Sequence, residues 1–208
     1  MIRALRKTSH RTSRFLGDAL AWRAPDRQHA VVAWCLIAGA VWLVASLAGY
    51  PVWPELALAG LYLMAVLAAV CAIDARYGII PNSLVIALAA GGLLQTFLPG
   101  QAGLLQRGFE AMLFLAAACL FRAAYRWVRG HDGLGLGDVK FATAGVLWIG
   151  IDGVPELLLV AVLSALASLV ILKAEGCDLH RKQAISFGPH LAVGLWVTWI
   201  AGPLQAGF

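Results

Sequence analysis

The sequence predicts an all-α fold: a polytopic transmembrane helical bundle of about seven spans (six if one segment is re-entrant), with its N-terminus in the cytoplasm. Composition is the first reason. Of 208 residues, 61% are hydrophobic and 13% charged, and mean hydropathy is +0.80. A soluble domain carries about 45–50% apolar and roughly 25% charged residues, so a water-soluble globule, a disordered tail and a secreted disulfide scaffold are excluded. The second reason is that the apolar residues fall in blocks almost free of charge, at 30–49, 56–73, 81–98, 108–121, 139–151, 154–172 and 188–205. A bilayer core takes about 20 apolar residues per helix. The third is the placement of Lys and Arg. With seven crossings, the cytoplasmic segments hold seven ahead of the first span (Arg3 to Arg27), then Arg76, then Arg122, Arg126, Arg129 and Lys140, then Lys173, Arg181 and Lys182. Only Arg107 of the 16 falls outside, which is the positive-inside pattern.

The elements follow in order. Residues 1–29 form a basic cytoplasmic arm, in which Phe15, Leu16, Ala19, Leu20 and Trp22 recur at helical spacing. Residues 12–23 therefore read either as an interfacial helix or as an unstructured basic lead-in. The arm is long and the apolar run after it exceeds the usual core of a secretory signal. The fifth span is the shortest. Its 13 residues, 139–151, reach only about 20 Å. A re-entrant segment there would turn the last loop outward and spread the basic residues 12 to 4, so seven spans are preferred.

Net charge is +5, but its confinement to the segments between spans argues for a lipid bilayer and against nucleic acid as partner. Cys35, Cys71, Cys119 and Cys177 form no CxxC pair, so they read as small hydrophobic packers and not as zinc ligands. Trp42, Trp53, Trp127, Trp148, Trp196 and Trp199 sit mostly near span ends, where interfacial anchoring accounts for them.

Two acids mark one end of the predicted bundle. Asp74 closes the second span in Ala72-Ile73-Asp74-Ala75-Arg76-Tyr77-Gly78-Ile79-Ile80-Pro81-Asn82. Asp138 opens the fifth in Gly133-Leu134-Gly135-Leu136-Gly137-Asp138-Val139-Lys140. The basic residues, independently of these acids, set both at the cytoplasmic boundary. Ionisable groups in membrane helices are costly and point to function. The macrodipole disfavours a carboxylate at the helix end holding Asp74, and the free N–H groups of a helix start favour one at Asp138. Two carboxylates biased in opposite directions suit acid–base chemistry, one activating water and the other, protonated, polarising a carbonyl. Structural readings stand beside this: Asp138 as an N-cap, and Asp74 offset by Arg76 or Lys140. Gly133, Gly135 and Gly137 alternate ahead of Asp138. A backbone without side chains there either lies open to an extended chain or adopts positive φ.

These residues resemble the type IV prepilin peptidases, the bacterial branch of the GxGD intramembrane aspartyl proteases, in a short form without the N-terminal methyltransferase insert. Gly135-Leu136-Gly137-Asp138-Val139-Lys140 is similar to the family's GxGDxK signature. Asp74 followed by Ile80-Pro81-Asn82 resembles its earlier aspartate and Ile-Pro-Asn turn, and Ser186-Phe187-Gly188-Pro189-His190-Leu191-Ala192 its Phe-Gly-Pro block. The likeness covers roughly residues 56–205, and the three blocks stand in the family's order.

The resemblance implies that residues 30–208 form a transmembrane prepilin peptidase domain of the bacterial inner membrane. Asp74 and Asp138 would be its catalytic dyad, Gly135 and Gly137 would shape the site or bind substrate, and Lys140 would assist or simply anchor the helix. The substrate would be a prepilin or pseudopilin losing its basic leader after a Gly at the cytoplasmic face, with no metal and no cofactor. Bifunctional members also methylate the new N-terminus and carry paired CxxC motifs; no such motif occurs here, so only the peptidase half is expected. Service to a tight-adherence or Flp-type pilus is an analogy. The oligomeric state has no sequence signal.

Other polar residues carry bland readings. His131 and Asp132 read as a solvated loop, as do Glu175, Asp178 and His180, and His190 as packing at a helix entry. Two rival functions are an ion- or proton-coupled transporter and a non-catalytic pilus or secretion assembly subunit. A transporter would place its acids near mid-span in symmetric halves, whereas both acids here lie at span ends on one face. HExxH and GxSG motifs are absent from the chain.

Overall fold

The computed structural model describes residues 37–42, 57–98, 101–130, 133, 135–174 and 186–202. The basic arm at 1–29, most of the first span, and His131, Asp132, Glu175, Asp178 and His180 lie outside the described residues. Within them the chain is helical: a segment at 37–42, then α1 (Ala57–Tyr77), α2 (Asn82–Gln95), α3 (Leu104–Arg129), α4 (Leu136–Ile149), α5 (Val154–Ala174) and α6 (Gly188–Ala201). The order and type of these helices follow the apolar blocks of the sequence. By length and composition α1 from Leu58 and all of α3 suffice to cross a membrane. At 14 residues each, α2, α4 and α6 rise only about 21 Å.

Helix boundaries are set by residues that cannot continue a helix. Gly78 and Gly130 adopt positive φ (64° and 74°), and their N–H groups close α1 on the Asp74 carbonyl and α3 on the Arg126 carbonyl, each at 2.8 Å. Pro81 and Pro189 stand at helix starts, where a missing N–H costs nothing. The turn from α1 to α2 is four residues long, 78–81, which makes the two helices antiparallel neighbours.

At the centre, α6 packs on α1, α4 and α5, while α4 packs on α2, α3 and α6. Leu63, Leu67, Val70, Cys71, Leu88, Phe141, Leu157, Leu191, Leu195 and Trp196 fill the space between them. A methyl group at Gly194 would collide with the Leu157 carbonyl; the glycine lets α5 and α6 approach backbone to backbone, as small residues do in membrane helices. Helix α3 stands at the edge. Of its 26 residues only Ala111 is buried, and Leu105, Phe109, Met112, Leu120 and Phe121 are exposed. Such a surface suits lipid.

The fifth predicted span does not reverse within itself. Helix α4 runs beside α3 from the level of Tyr125, against which Gly133 abuts, to Glu110, whose carboxylate accepts the Ile151 N–H at 3.2 Å. The chain turns only at 150–153. The helix is continuous from Leu136 to Ile149, and it begins three residues earlier than the apolar run because Gly135 and Leu136 start it ahead of Asp138.

One sequence expectation is overturned by packing. Trp148 and Trp196 are 2% and 1% exposed and are not interfacial anchors. They form a buried cluster with Trp42 and Trp199, at centroid separations of 5.5 to 6.4 Å. Their ring N–H groups go to backbone carbonyls, Trp148 to Leu88 at 2.8 Å and Trp196 to Ala38 at 3.1 Å. Trp127, 88% exposed, fits the anchoring role; Trp53 lies outside the described residues.

Candidate active site

The helices alternate in direction, so the C-terminal ends of α1, α3 and α5 share one end of the bundle with the N-terminal ends of α2, α4 and α6. Among the described residues, Arg76, Arg122, Arg126, Arg129, Lys140 and Lys173 all fall at this end. Arg107 lies at the other, paired with Glu110 at 3.0 Å. Both sequence-nominated acids are at the basic end.

Asp74 sits one turn before the end of α1 and is only 5% exposed. Its Oδ2 accepts the backbone N–H of Gly188, the first residue of α6, at 2.8 Å. The same oxygen accepts the Ser186 hydroxyl. Gly188 is there because nothing larger fits: a β-carbon would lie 2.6 Å from Asp74 Oδ2. Neither cation offered by the sequence pairs with Asp74. The Arg76 guanidinium lies over the Tyr77 ring, 5.5 Å from its centroid, and Lys140 Nζ donates to Asn82 Oδ1 at 3.0 Å.

Asp138 is the third residue of α4, not its cap; Gly135 occupies the N-cap position, with no side-chain cap bond. Asp138 precedes the apolar run 139–151. Gly137, beside it, packs on Ile80 of the turn that follows Asp74, and Lys140 donates to Asn82 at the end of the same turn, so the two acids stand at one end of the bundle although 64 residues separate them in sequence.

The glycines behave unequally. Gly135 is extended (φ −63°, ψ 136°), and among the described residues positive φ occurs at Gly78, Gly130, Gly150 and Gly202, not in the alternating glycines. Positive φ is therefore not the use made of these glycines. A β-carbon at Gly135 would stand 2.9 Å from Asp138 Oδ2, whereas one at Gly137 would only touch Ile80, at 3.5 Å. Gly135 thus leaves room for the carboxyl, and Gly137 lets α4 pack on the Ile80-Pro81-Asn82 turn.

Three separate stretches meet here: the Asp74 turn, the Gly135–Lys140 segment and the Ser186–Gly188 segment. Sequence reasoning assigned no role to Ser186, Gly188 or Asn82. The available signal was Gly188-Pro189, which marks a helix start and hence free N–H groups at the end where Asp74 lies. His190 is fully buried on α6 with Nδ1 2.9 Å from Ser164 Oγ, in keeping with a packing role. Among the described residues, no three His, Cys, Asp or Glu side chains gather as a metal-ligand group. Two carboxyl groups at one end of the bundle, one of them hydrogen-bonded by the start of α6, can between them activate water and protonate a carbonyl.

Comparison with known proteins gives one consistent result. Residues 61–172 match the type IV leader peptidase family. The prepilin leader peptidase/N-methyltransferase of Dickeya chrysanthemi is 33% identical over 186 residues, covering 85% of this chain and 59% of that protein. Those of Neisseria gonorrhoeae and Aeromonas hydrophila are 29% and 31% identical, covering 72% and 70% of this chain and 50% of each relative. The chain thus spans about half to three fifths of the length of these curated relatives. No solved structure gives a significant match.

Proposed function

The chain belongs to the type IV leader peptidase family, and from that premise we propose that it is a membrane-embedded aspartyl endopeptidase. Its substrate is a prepilin or pseudopilin, and it removes the basic leader at the cytoplasmic face of the bacterial inner membrane. The observation that carries this reading is that Asp74 and Asp138 stand at the same basic end of the bundle, their segments joined through the 80–82 turn on which Gly137 and Lys140 pack.

Asp74 and Asp138 form the catalytic dyad. The ionised carboxylate takes a proton from water as its oxygen attacks the scissile carbonyl carbon. The protonated carboxyl gives its proton to the carbonyl oxygen, producing a tetrahedral diol. On collapse, the proton held by the first carboxyl passes to the leaving nitrogen as the C–N bond breaks, and the second carboxyl regains its proton from the diol. Both groups return to their starting states without a metal or cofactor.

Gly135 keeps the space beside the Asp138 carboxyl free of a side chain, and Gly137 shapes the loop where α4 packs on Ile80. Lys140 steadies the turn at Asn82 through its hydrogen bond. Residues 30–208 make up the peptidase domain within the bilayer, and residues 1–29 its cytoplasmic arm. Methylation of the new N-terminus is not assigned to this chain, and nucleic acid is not a partner.

The test is made in membranes with a prepilin-type substrate whose basic leader ends in Gly. Wild type removes the leader; Asp74→Asn and Asp138→Asn insert normally and do not. Equal processing by all three would sink the dyad.

A further inference from the structure

The dyad reading leaves unassigned which carboxyl starts as the base and what holds it in that state. Asp74 is the more buried of the two on the evidence of its 5% exposure, and it sits near the C-terminal end of α1, where the macrodipole opposes a negative charge. A buried carboxylate in that position requires compensation. Cations do not supply it: among the described residues Asp74 has no Lys or Arg ion pair. The groups facing it are few. From its own helix, Arg76 is engaged over Tyr77. On α4 stand the second carboxyl, Asp138, and Lys140, which is held by Asn82 of α2. On α6, His190 is directed to Ser164.

What remains is the start of α6. Its first N–H, from Gly188, and the hydroxyl of Ser186 both donate to Asp74 Oδ2. Helix α6 has no side-chain cap of its own, so the Asp74 carboxylate of another helix caps it. The positive end of α6 thereby offsets the negative end of α1. Both donors use one oxygen, which leaves Oδ1 without a protein hydrogen bond among the described residues.

We propose that Ser186, acting with the Gly188 N–H, is a positioning residue that holds Asp74 as the ionised member of the pair and leaves Oδ1 as the oxygen that takes the water proton. Ser186 touches no substrate in this assignment; it acts through Asp74. The inference rests on the peptidase reading, and the experiment separates the two.

The experiment measures kcat/KM against pH for leader removal by the full chain in membranes, with wild type, Ser186→Ala, Ser186→Thr and Asp74→Asn. Loss of a hydrogen bond to a charged group corresponds to about one pH unit. Ser186→Ala is expected to cleave about tenfold more slowly at neutral pH, with its acidic limb about one unit higher. Ser186→Thr, which keeps the hydroxyl, is expected to return the limb to its wild-type position. An unmoved acidic limb in Ser186→Ala overturns the proposal whatever the rate. If Ser186→Ala is wholly inactive, Ser186→Thr decides: restored cleavage with the wild-type limb supports the assignment, and failure to restore overturns it. Cleavage by Asp74→Asn removes Asp74 as the base and the inference with it. An inactive wild type overturns the peptidase reading itself, an outcome distinct from an active enzyme indifferent to Ser186.

Discussion

Adding one carbon at position 188 tests the architecture of the site more sharply than removing a carboxyl does. A β-carbon there would lie 2.6 Å from Asp74 Oδ2, 2.8 Å from Cγ and 3.1 Å from Cβ. The clash falls on three atoms of one short side chain, so rotation of a flexible end does not relieve it. Carbon rarely approaches other heavy atoms closer than about 3.0–3.4 Å in folded proteins, so the carboxyl group must move by roughly half an ångström, and its bond to the Gly188 N–H must lengthen. Misplacement by about 1 Å in an active site costs up to about a hundredfold in rate. Gly188→Ala should therefore lower leader removal about ten- to a hundredfold. At Gly135 only the carboxyl of Asp138 is met, at 2.9 Å for one oxygen, and Gly135→Ala should cost a few fold. At Gly137 the nearest atom is Ile80 Cβ at 3.5 Å, an ordinary contact, and Gly137→Ala should stay within about twofold of wild type. The assay is cleavage of a basic-leader substrate in membranes, normalised to inserted protein. Gly188→Ala at the wild-type rate, or Gly137→Ala as damaging as Gly188→Ala, would refute the packing argument.

The other predictions concern stability and the dyad's surroundings. Lys140→Ala removes an exposed hydrogen bond to Asn82, which should cost under about 1 kcal/mol and a few fold in cleavage. A hundredfold loss would place Lys140 on the substrate instead. Trp148→Phe removes the indole N–H that the Leu88 carbonyl accepts beside its own helix bond and should lower stability by about 0.5–1.5 kcal/mol while leaving the pH profile of cleavage unchanged.

Much of the architecture was legible because bilayer and interior both demand apolar helices. The positions of the apolar blocks set the helix order, and the basic residues put Asp74 and Asp138 at one end. The same demand explains the misreading of Trp148 and Trp196: an apolar side chain near a helix end looks alike whether it meets lipid or its neighbours. Ser186 and Gly188 escaped because their partner is 112 and 114 residues away, a pairing that no local pattern announces. Gly150 shows the reverse case. Its positive φ and the Arg107–Glu110 pair beside it account for both the sharp turn and the one basic residue on the far side.

The contact between Asp74 and the start of α6 also has a consequence for biosynthesis. A growing chain emerges from the ribosome with Asp74 and then Asp138 ahead of residues 186–188, which carry the groups that cap Asp74. Until the last described helix has entered the membrane, both acids are inserted but Asp74 lacks its donors. On the function proposed above, a chain that ends before residue 186 should therefore remove leaders more slowly than the completed bundle.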